Sequence, residues 1–179
     1  FFFILFFLII LIYFKDGFSD ELLRNNFNYL LEFKNKFFIE TLLILVLSSI
    51  LLSFLGFALP VLFFNGFLFG SIIGSIISLL TLTLGSCIFY YLNKNIITDN
   101  IKDRFKSTFL KINKLVNNNE FLTVFFLRFF GFGMPFIAHN ILPMIFKIKN
   151  KSFFWGTFFG LIPLTMQSFI AGGLRNIYE

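Results

Sequence analysis

One basic side chain lies deep inside a hydrophobic stretch of this sequence. Arg128 stands in the run 121–146, seven residues past Phe121. A charged side chain within a bilayer costs at least about 2.5 kcal/mol, so such a residue is a candidate functional group. A guanidinium keeps its charge and matches phosphate oxygens with two parallel hydrogen bonds. Arg128 therefore predicts a site for an anionic headgroup, with snorkelling of its side chain to the membrane surface as the alternative.

Further polar residues occur in two similar hydrophobic segments. Pro60 is followed by Asn65, and Pro135 is followed by His139 and Asn140. We expect the two asparagines at the apices of broken segments, where they contact a ligand or bond backbone groups freed by a turn. His139 is expected to donate or accept hydrogen bonds as a neutral residue, with titration as the alternative. These five residues and Arg128 form the predicted lipid or substrate site.

The composition excludes a water-soluble fold. The 179 residues are 58% hydrophobic and only 13% charged, and 33 of them are Phe, whereas soluble domains have about 25% charged residues. A chain of this size cannot bury so much apolar surface by itself, so lipid must cover the rest. The net charge of +6 does not indicate nucleic acid, because the basic residues lie between hydrophobic runs rather than on one face.

The reactive residues do not predict an enzyme. One Cys and one His exclude an internal disulfide and a zinc site of the usual kind. Cys87 lies in a hydrophobic run without a neighbouring His, and no pair of carboxylates occurs within these runs. We therefore expect neither catalysis nor a metal or other cofactor.

The lengths of the hydrophobic runs predict the organisation of the chain. A helix over 1–14 would measure about 21 Å against a hydrocarbon core of about 30 Å, and is interpreted as a truncated transmembrane helix. Residues 15–36 are expected at the cytoplasmic surface of the membrane, and so is a basic helix that is predicted over 101–116. The membrane domain is predicted over 37–173. It contains crossings at 37–55, 74–92 and 153–172 and re-entrant segments at 57–73 and 121–146, which are rich in Gly and Pro.

The basic residues support this topology. The loops 15–36, 93–120 and 147–152 hold 13 of the 15 Lys and Arg residues. Basic loops stay cytoplasmic, so all three are expected on that side of the membrane. A complete crossing by 121–146 would separate the last two loops, and a re-entrant hairpin there avoids this conflict.

An internal repeat underlies the two re-entrant segments. A shift of 75 residues superposes a shared pattern, Phe-x-Gly-Phe-x-x-Pro-x4-Asn, followed later by a Gly. We expect two units of inverted orientation, each a re-entrant hairpin with a transmembrane helix, whose Pro-x4-Asn segments face each other near the midplane. The matched pairs are Phe54 and Phe129, Gly56 and Gly131, Phe57 and Phe132, Pro60 and Pro135, Asn65 and Asn140, and Gly85 and Gly160.

These residues resemble the DedA-like superfamily, also called SNARE-associated Golgi or VTT-domain proteins, from about Ser19 to Gly173. The first half resembles the family pattern at Pro60, Gly66, Phe69, Gly70, Gly74 and Gly85. The second half resembles it at Arg128, Pro135, Asn140, Gly156, Thr157, Gly160, Pro163 and Gly172. The acidic residue that many bacterial members carry in the first hairpin is absent.

The resemblance implies an all-α polytopic protein of the inner membrane or endomembranes, with two facing re-entrant hairpins. It implies translocation or scrambling of anionic lipids, such as phospholipids or polyprenyl phosphates, between leaflets. The alternatives are an ion-coupled transporter of small solutes that uses the same repeat, and a non-transporting assembly factor. The expected partners are membrane lipids and not nucleic acid, and the oligomeric state, a homo-oligomer included, stays open.

Overall fold

The structure is a computed structural model that describes residues 29–95, 119–130 and 134–178. The predicted helices over 1–14 and 101–116, and the first part of the predicted surface segment 15–36, lie outside these residues. The described part contains helices and no strands, which confirms the predicted all-α class. In chain order the helices are α1 (Tyr29–Lys36), α2 (Phe38–Phe54), α3 (Ala58–Phe69), α4 (Ser71–Asn93), α5 (Glu120–Phe130), α6 (Phe136–Ile145), α7 (Asn150–Gly160) and α8 (Ile162–Tyr178).

Among the described residues, two stretches have the length and apolar character of a membrane crossing. They are α4, with 23 residues, and the continuation of α7 into α8 as far as Gly173, with 24 residues. A third is obtained if α1 and α2, which meet at 108°, count as one broken span. Large apolar side chains project from these helices to the outside, among them Leu47 on α2 and Ile76 on α4. Exposing such an apolar surface to water is unfavourable, whereas contact with the hydrocarbon of a bilayer is favourable.

Helices α2, α3 and α4 lie side by side, with α3 antiparallel to the other two. The rings of Phe38 and Phe69 are 5.8 Å apart, and those of Phe54 and Phe89 are 5.4 Å apart. Helix α2 is therefore parallel to α4, and α3 returns between the same two levels. Lys36, just before the start of α2, consequently lies at the end of the fold opposite to the loop that follows α4. The prediction that all three basic loops share one side of the membrane is thus wrong for 15–36. The chain bends at Gly56 and at Gly70, whose φ angles of +92° and +82° favour glycine.

In the second half, the segment of α5 and α6 starts and ends at the same place in the fold. The Lys149 backbone N–H donates to a carboxylate oxygen of Glu120, at 3.0 Å. Glu120 starts α5, and Lys149 directly precedes α7. The segment comprising α5 and α6 therefore leaves this point and comes back to it before α7 sets out.

The long helices of the two halves are antiparallel. At one end the Tyr90 hydroxyl donates to the Ile148 carbonyl, and Lys94 Nζ donates to Asn150 Oδ1 at 3.0 Å. At the other end Ser71 Oγ donates to the Phe169 carbonyl at 2.8 Å. The loop that follows α4 and the loop that precedes α7 consequently start at the same end of the fold, as their predicted location on one side requires.

The expected turns within the two Pro-x4-Asn segments are wrong. Residues 58–69 and 136–145 each form an uninterrupted helix, of 12 and 10 residues. Pro60 is the third residue of its helix, and Pro135 directly precedes the next one. A proline in the first helical turn lacks only an N–H that would have no intrahelical partner, and its fixed φ suits a helix start. The prolines therefore begin these helices, and Asn65 and Asn140 lie inside them.

The two short helices contact each other at their beginnings. Val61 and Leu62 of α3 share a buried apolar cluster with Phe136 of α6. A Cβ at Gly56 would come within 2.8 Å of the Ile137 Cβ, so a larger residue has no room at this bend. These contacts lie at the bend and in the first helical turns, and the facing of the two Pro-x4-Asn segments near the midplane stays a prediction.

Candidate functional site

Arg128 occupies the last turn of α5 and points into the protein. Its side chain is only 4% exposed. Its Nη2 donates to the Oδ1 of Asn140 on α6, at 2.5 Å, and Asn140 is completely buried. A snorkelling arginine would expose its guanidinium at the surface, whereas this one is held between helices. The structure thus brings two of the predicted site residues, Arg128 and Asn140, into direct contact.

Two aromatic rings flank the guanidinium. The Arg128 Cζ lies 4.9 Å from the ring centre of Phe136 and 5.9 Å from that of Phe153. The negative faces of aromatic rings attract a cation, by up to about 2 kcal/mol when water is excluded. These rings partly replace the hydration that the buried guanidinium has lost.

Glycines on α7 bring that helix close to α5. A Cβ at Gly160 would lie 2.6 Å from the Cβ of Arg128, and one at Gly156 would lie 2.6 Å from that of Val124. Small residues four apart let two membrane helices approach closely. The Gly-x-x-x-Gly spacing thus positions α7 against the helix turn that carries Arg128.

Several buried polar groups of the second half lack hydrogen-bond partners in the part of the chain that the structure describes. Arg128 Nε and Nη1, Asn140 Nδ2 and Thr157 Oγ1 have no hydrogen-bond partner among the described residues. Three of these four are N–H donors, and the hydroxyl can donate as well. An unpaired buried donor is costly, and more so when it is charged. A ligand that supplies oxygen acceptors with negative charge would satisfy this set.

Asn65 lies in a different environment on α3. Its Oδ1 accepts from Ser49 Oγ at 3.3 Å, and its Nδ2 donates to Ser78 Oγ at 3.2 Å. Ser78 Oγ in turn lies 3.2 Å from Ser168 Oγ. All four residues are buried, and hydroxyl groups on two other helices bond the amide directly. The described contacts of Asn65 do not include Arg128.

The other predicted site residues lie at varying distance from Arg128. His139 is 7% exposed, next to Asn140 on α6, and its ring centre is 6.5 Å from that of Phe136. Pro60 and Pro135 lie at the helix starts, and the described contacts of the guanidinium do not include them.

Sequence reasoning missed the two rings beside Arg128. Phe136 and Phe153 are two among 33 phenylalanines, so neither their residue type nor their spacing distinguishes them. Phe136 directly follows the first-turn proline of its segment, and that position was the one available signal. Phe153 is 25 residues from Arg128 in sequence, and only the packing of α7 on α5 brings them together.

Metal ligands do not gather anywhere in the part of the chain that the structure describes. No group of three or more His, Cys, Asp or Glu residues there could hold an ion. Cys87 is a free, half-buried thiol beside the cluster that contains Tyr90 and Phe153.

Comparisons with known proteins identify a family. Residues 57–174 match the family profile of the VTT domain, which covers α3 to α8 and includes Arg128, Asn140 and both glycines of α7. No curated protein and no solved structure gives a significant match.

Proposed function

Since the chain belongs to the VTT-domain family of DedA and SNARE-associated Golgi membrane proteins, we propose that it moves anionic lipids between the two leaflets of a membrane. The observation that carries this proposal is the buried guanidinium of Arg128, which bonds Asn140 with one nitrogen and has two others without a partner among the described residues. Burying a charged group away from water costs free energy, so a buried guanidinium in a membrane protein is a functional candidate.

The geometry suits a phosphate. Each edge of a guanidinium that can donate two parallel hydrogen bonds includes Nη2, paired with either Nε or Nη1. Asn140 takes one N–H of Nη2 and so fixes the orientation of the group, and the second N–H of Nη2 can join Nε or Nη1 in bonding two phosphate oxygens. Asn140 Nδ2 and the Thr157 hydroxyl are further donors for a phosphodiester or phosphomonoester. The acyl or polyprenyl tails would remain in the bilayer while the headgroup is bound.

We also propose that the fold is an inverted repeat of two re-entrant units. Gly85 packs on the Ser53 Cβ and the Ile50 carbonyl oxygen, and Gly160 packs on the Arg128 Cβ and the Phe125 carbonyl oxygen. All three pairs of positions differ by 75 residues, the shift of the sequence repeat. The antiparallel course of the long helices supports opposite orientations of the units. In this proposal the hairpins consist of α2 with α3 and of α5 with α6.

We propose that the protein resides in the cell's inner membrane, with the loops 93–120 and 147–152 in the cytoplasm. Single cysteines replacing Lys106 and Lys149, in a background where Cys87 is Ala, test this orientation. A membrane-impermeant maleimide should label both in inside-out vesicles and neither in intact cells. Labelling of the two positions from opposite sides would contradict both the orientation and the second hairpin.

The main test is a lipid-flip assay on purified protein in vesicles. Arg128→Ala removes a charge-assisted contact worth about 1.5 to 3 kcal/mol, so transport of phosphatidylglycerol should fall by roughly ten- to a hundredfold. Arg128→Lys should restore part of the rate, since it keeps the charge without the planar fork. Ser53→Ala is the matched control, because it changes the repeat-related position and should leave the rate per folded molecule nearly unchanged.

The same experiment separates the alternative functions. A folded Arg128→Ala protein that moves anionic lipid at the unmutated rate would contradict the role of Arg128. A wild-type protein that moves no lipid but takes up a small anion would support a solute transporter with the same repeat. Activity toward neither would support an assembly factor. Each function proposed here binds or moves a ligand and includes no covalent chemistry.

A further inference from the structure

A basic pocket lies at the end of the fold where α4 finishes and α7 begins. It has a volume of about 600 Å³. It is lined by Tyr90, Lys94 and Asn95 at the end of α4 and by 147–150, which includes Lys147 and Lys149. Neither the headgroup site at Arg128 nor the family match assigns a role to this pocket.

The charges of the pocket favour an anion. Lys94 Nζ is held by Asn150 Oδ1 at 3.0 Å and lies 5.3 Å from the ring centre of Tyr91. Lys147 and Lys149 are exposed, and their ammonium groups make no hydrogen bond or ion pair with a described residue. The Glu120 carboxylate is the acidic group beside them, bonded to the Lys149 backbone N–H. Three ammonium groups therefore face one carboxylate.

An aromatic pair separates this pocket from Arg128. The rings of Tyr90 and Phe153 are stacked with centres 4.1 Å apart. Tyr90 lines the pocket, and Phe153 lies beside the Arg128 guanidinium on the other side of the stack. The pocket is consequently one ring pair away from the buried site.

We propose that this basic pocket captures the phosphate of an anionic lipid headgroup before the headgroup reaches Arg128. The inference rests on the proposed function and adds a second, outer phosphate site to it. Basic pockets between membrane helices bind lipid headgroups, and each Lys near the surface strengthens binding by roughly fivefold. In this proposal, the outer site determines the fraction of anionic lipid at which transport is half-saturated. Arg128 determines the saturated rate of transport.

The test measures the flip rate of the full chain in vesicles of phosphatidylcholine with increasing fractions of phosphatidylglycerol. The triple variant Lys94→Gln, Lys147→Gln, Lys149→Gln should raise the half-saturating fraction of phosphatidylglycerol by at least tenfold, with the saturated rate within about twofold of wild type. Lys151→Gln is the control of equal charge for Lys149→Gln, since Lys151 is exposed two residues away and does not line the pocket. It should leave the half-saturating fraction unchanged.

Native mass spectrometry of the same variants keeps the two proposals distinguishable. Arg128→Ala should still retain phosphatidylglycerol in a manner that depends on the three lysines, even though its flip rate falls. Should Arg128→Ala flip lipid at the wild-type rate while the lysine effect persists, the proposed role of Arg128 fails and the outer site stands.

The outer site would be overturned if the triple lysine variant and wild type had the same half-saturating fraction. It would equally be overturned if Lys151→Gln reproduced the effect of Lys149→Gln, since general surface charge would then be the cause. Inorganic phosphate at 10 mM should compete weakly or not at all with bound phosphatidylglycerol. Displacement of the lipid by phosphate alone would make the pocket a site for free phosphate and contradict the lipid assignment.

Discussion

Asn65 and Asn140 occupy equivalent positions of the sequence repeat but lie in very different surroundings. Hydroxyl groups of Ser49 and Ser78 satisfy Asn65 at both ends of its amide. Asn140 instead accepts from the charged Arg128 and leaves its own Nδ2 unpaired. The residue 75 positions before Arg128 is Ser53, whose hydroxyl donates to the Leu82 carbonyl at 2.9 Å. Apart from Ser86 Oγ, the buried side-chain polar atoms of the first half have partners, whereas N–H donors of Arg128 and Asn140 have no acceptor among the described residues.

This difference indicates how the two halves divide their roles. A satisfied neutral network joins helices at little electrostatic cost, because no charge loses its hydration. Burying a guanidinium whose N–H groups lack acceptors costs free energy, and a ligand with acceptor oxygens would offset that cost. In the proposed function, the half with α2, α3 and α4 supports the site, and the half with α5, α6 and α7 binds the headgroup.

The largest expected effect comes from exchanging the two asparagines for leucine. Asn140→Leu removes the partner of a buried charge and should cost about 3 to 5 kcal/mol of stability, with loss of lipid transport. Asn65→Leu removes two hydrogen bonds and should cost about 1 to 2 kcal/mol on membrane-protein values, with the transport rate per folded molecule kept. Thermal unfolding in detergent and lipid flip in vesicles measure the two quantities.

Equal effects of the two leucine variants would contradict the division of roles. In particular, loss of transport in a folded Asn65→Leu protein would place the first half within the transport machinery. Intact transport in Asn140→Leu would show that Arg128 requires no orienting partner.

Much of this architecture is predictable from the sequence, because run length and breakers report directly on helices in a membrane. The crossings at 74–92 and 153–172 correspond to α4 and to the α7–α8 stretch. The position of the bends was not predictable from prolines, because Pro60 and Pro135 break a helix or begin one depending on their place in it. Here the positive-φ residues Gly56 and Gly70 mark the bends better.

The candidate site was partly predictable for the same physical reason. Arg128 is conspicuous because its charge conflicts with the surrounding run, and Asn140 is conspicuous through the repeat. The aromatic flanks and the pocket at Lys94 and Lys147 depend on contacts between segments far apart in sequence. No local pattern reports on such contacts, since exposed lysines near a membrane surface are common whether or not they line a cavity.

The repeat-related glycines offer a comparison of intermediate size. Gly85→Ala would bring a Cβ within 2.5 Å of the Ser53 Cβ, and Gly160→Ala would bring one within 2.6 Å of the Arg128 Cβ. Overpacking of this kind costs about 1 to 3 kcal/mol in each case. Only Gly160→Ala should also slow lipid transport per folded molecule, because it displaces the helix turn that carries Arg128. Similar transport in the two variants, measured at matched folded fractions, would contradict a site confined to the second half.

The smallest expected effect concerns the ring that faces Arg128 in the second half and has no counterpart in the first. Val61 occupies the repeat position of Phe136, and both belong to the same apolar cluster. Phe136→Leu keeps an apolar side chain but removes the cation–π contact at 4.9 Å. Because Phe153 still faces the guanidinium, we expect the free-energy barrier to lipid transport to rise by about 0.5 to 1 kcal/mol. The flip rate should therefore fall by roughly two- to fivefold. Phe126→Leu, on the exposed face of α5, is the matched control and should leave the rate unchanged. A Phe136→Leu protein with the wild-type rate and wild-type stability would mean that the ring only fills space, and that the hydrogen bond from Arg128 to Asn140 alone orients the guanidinium.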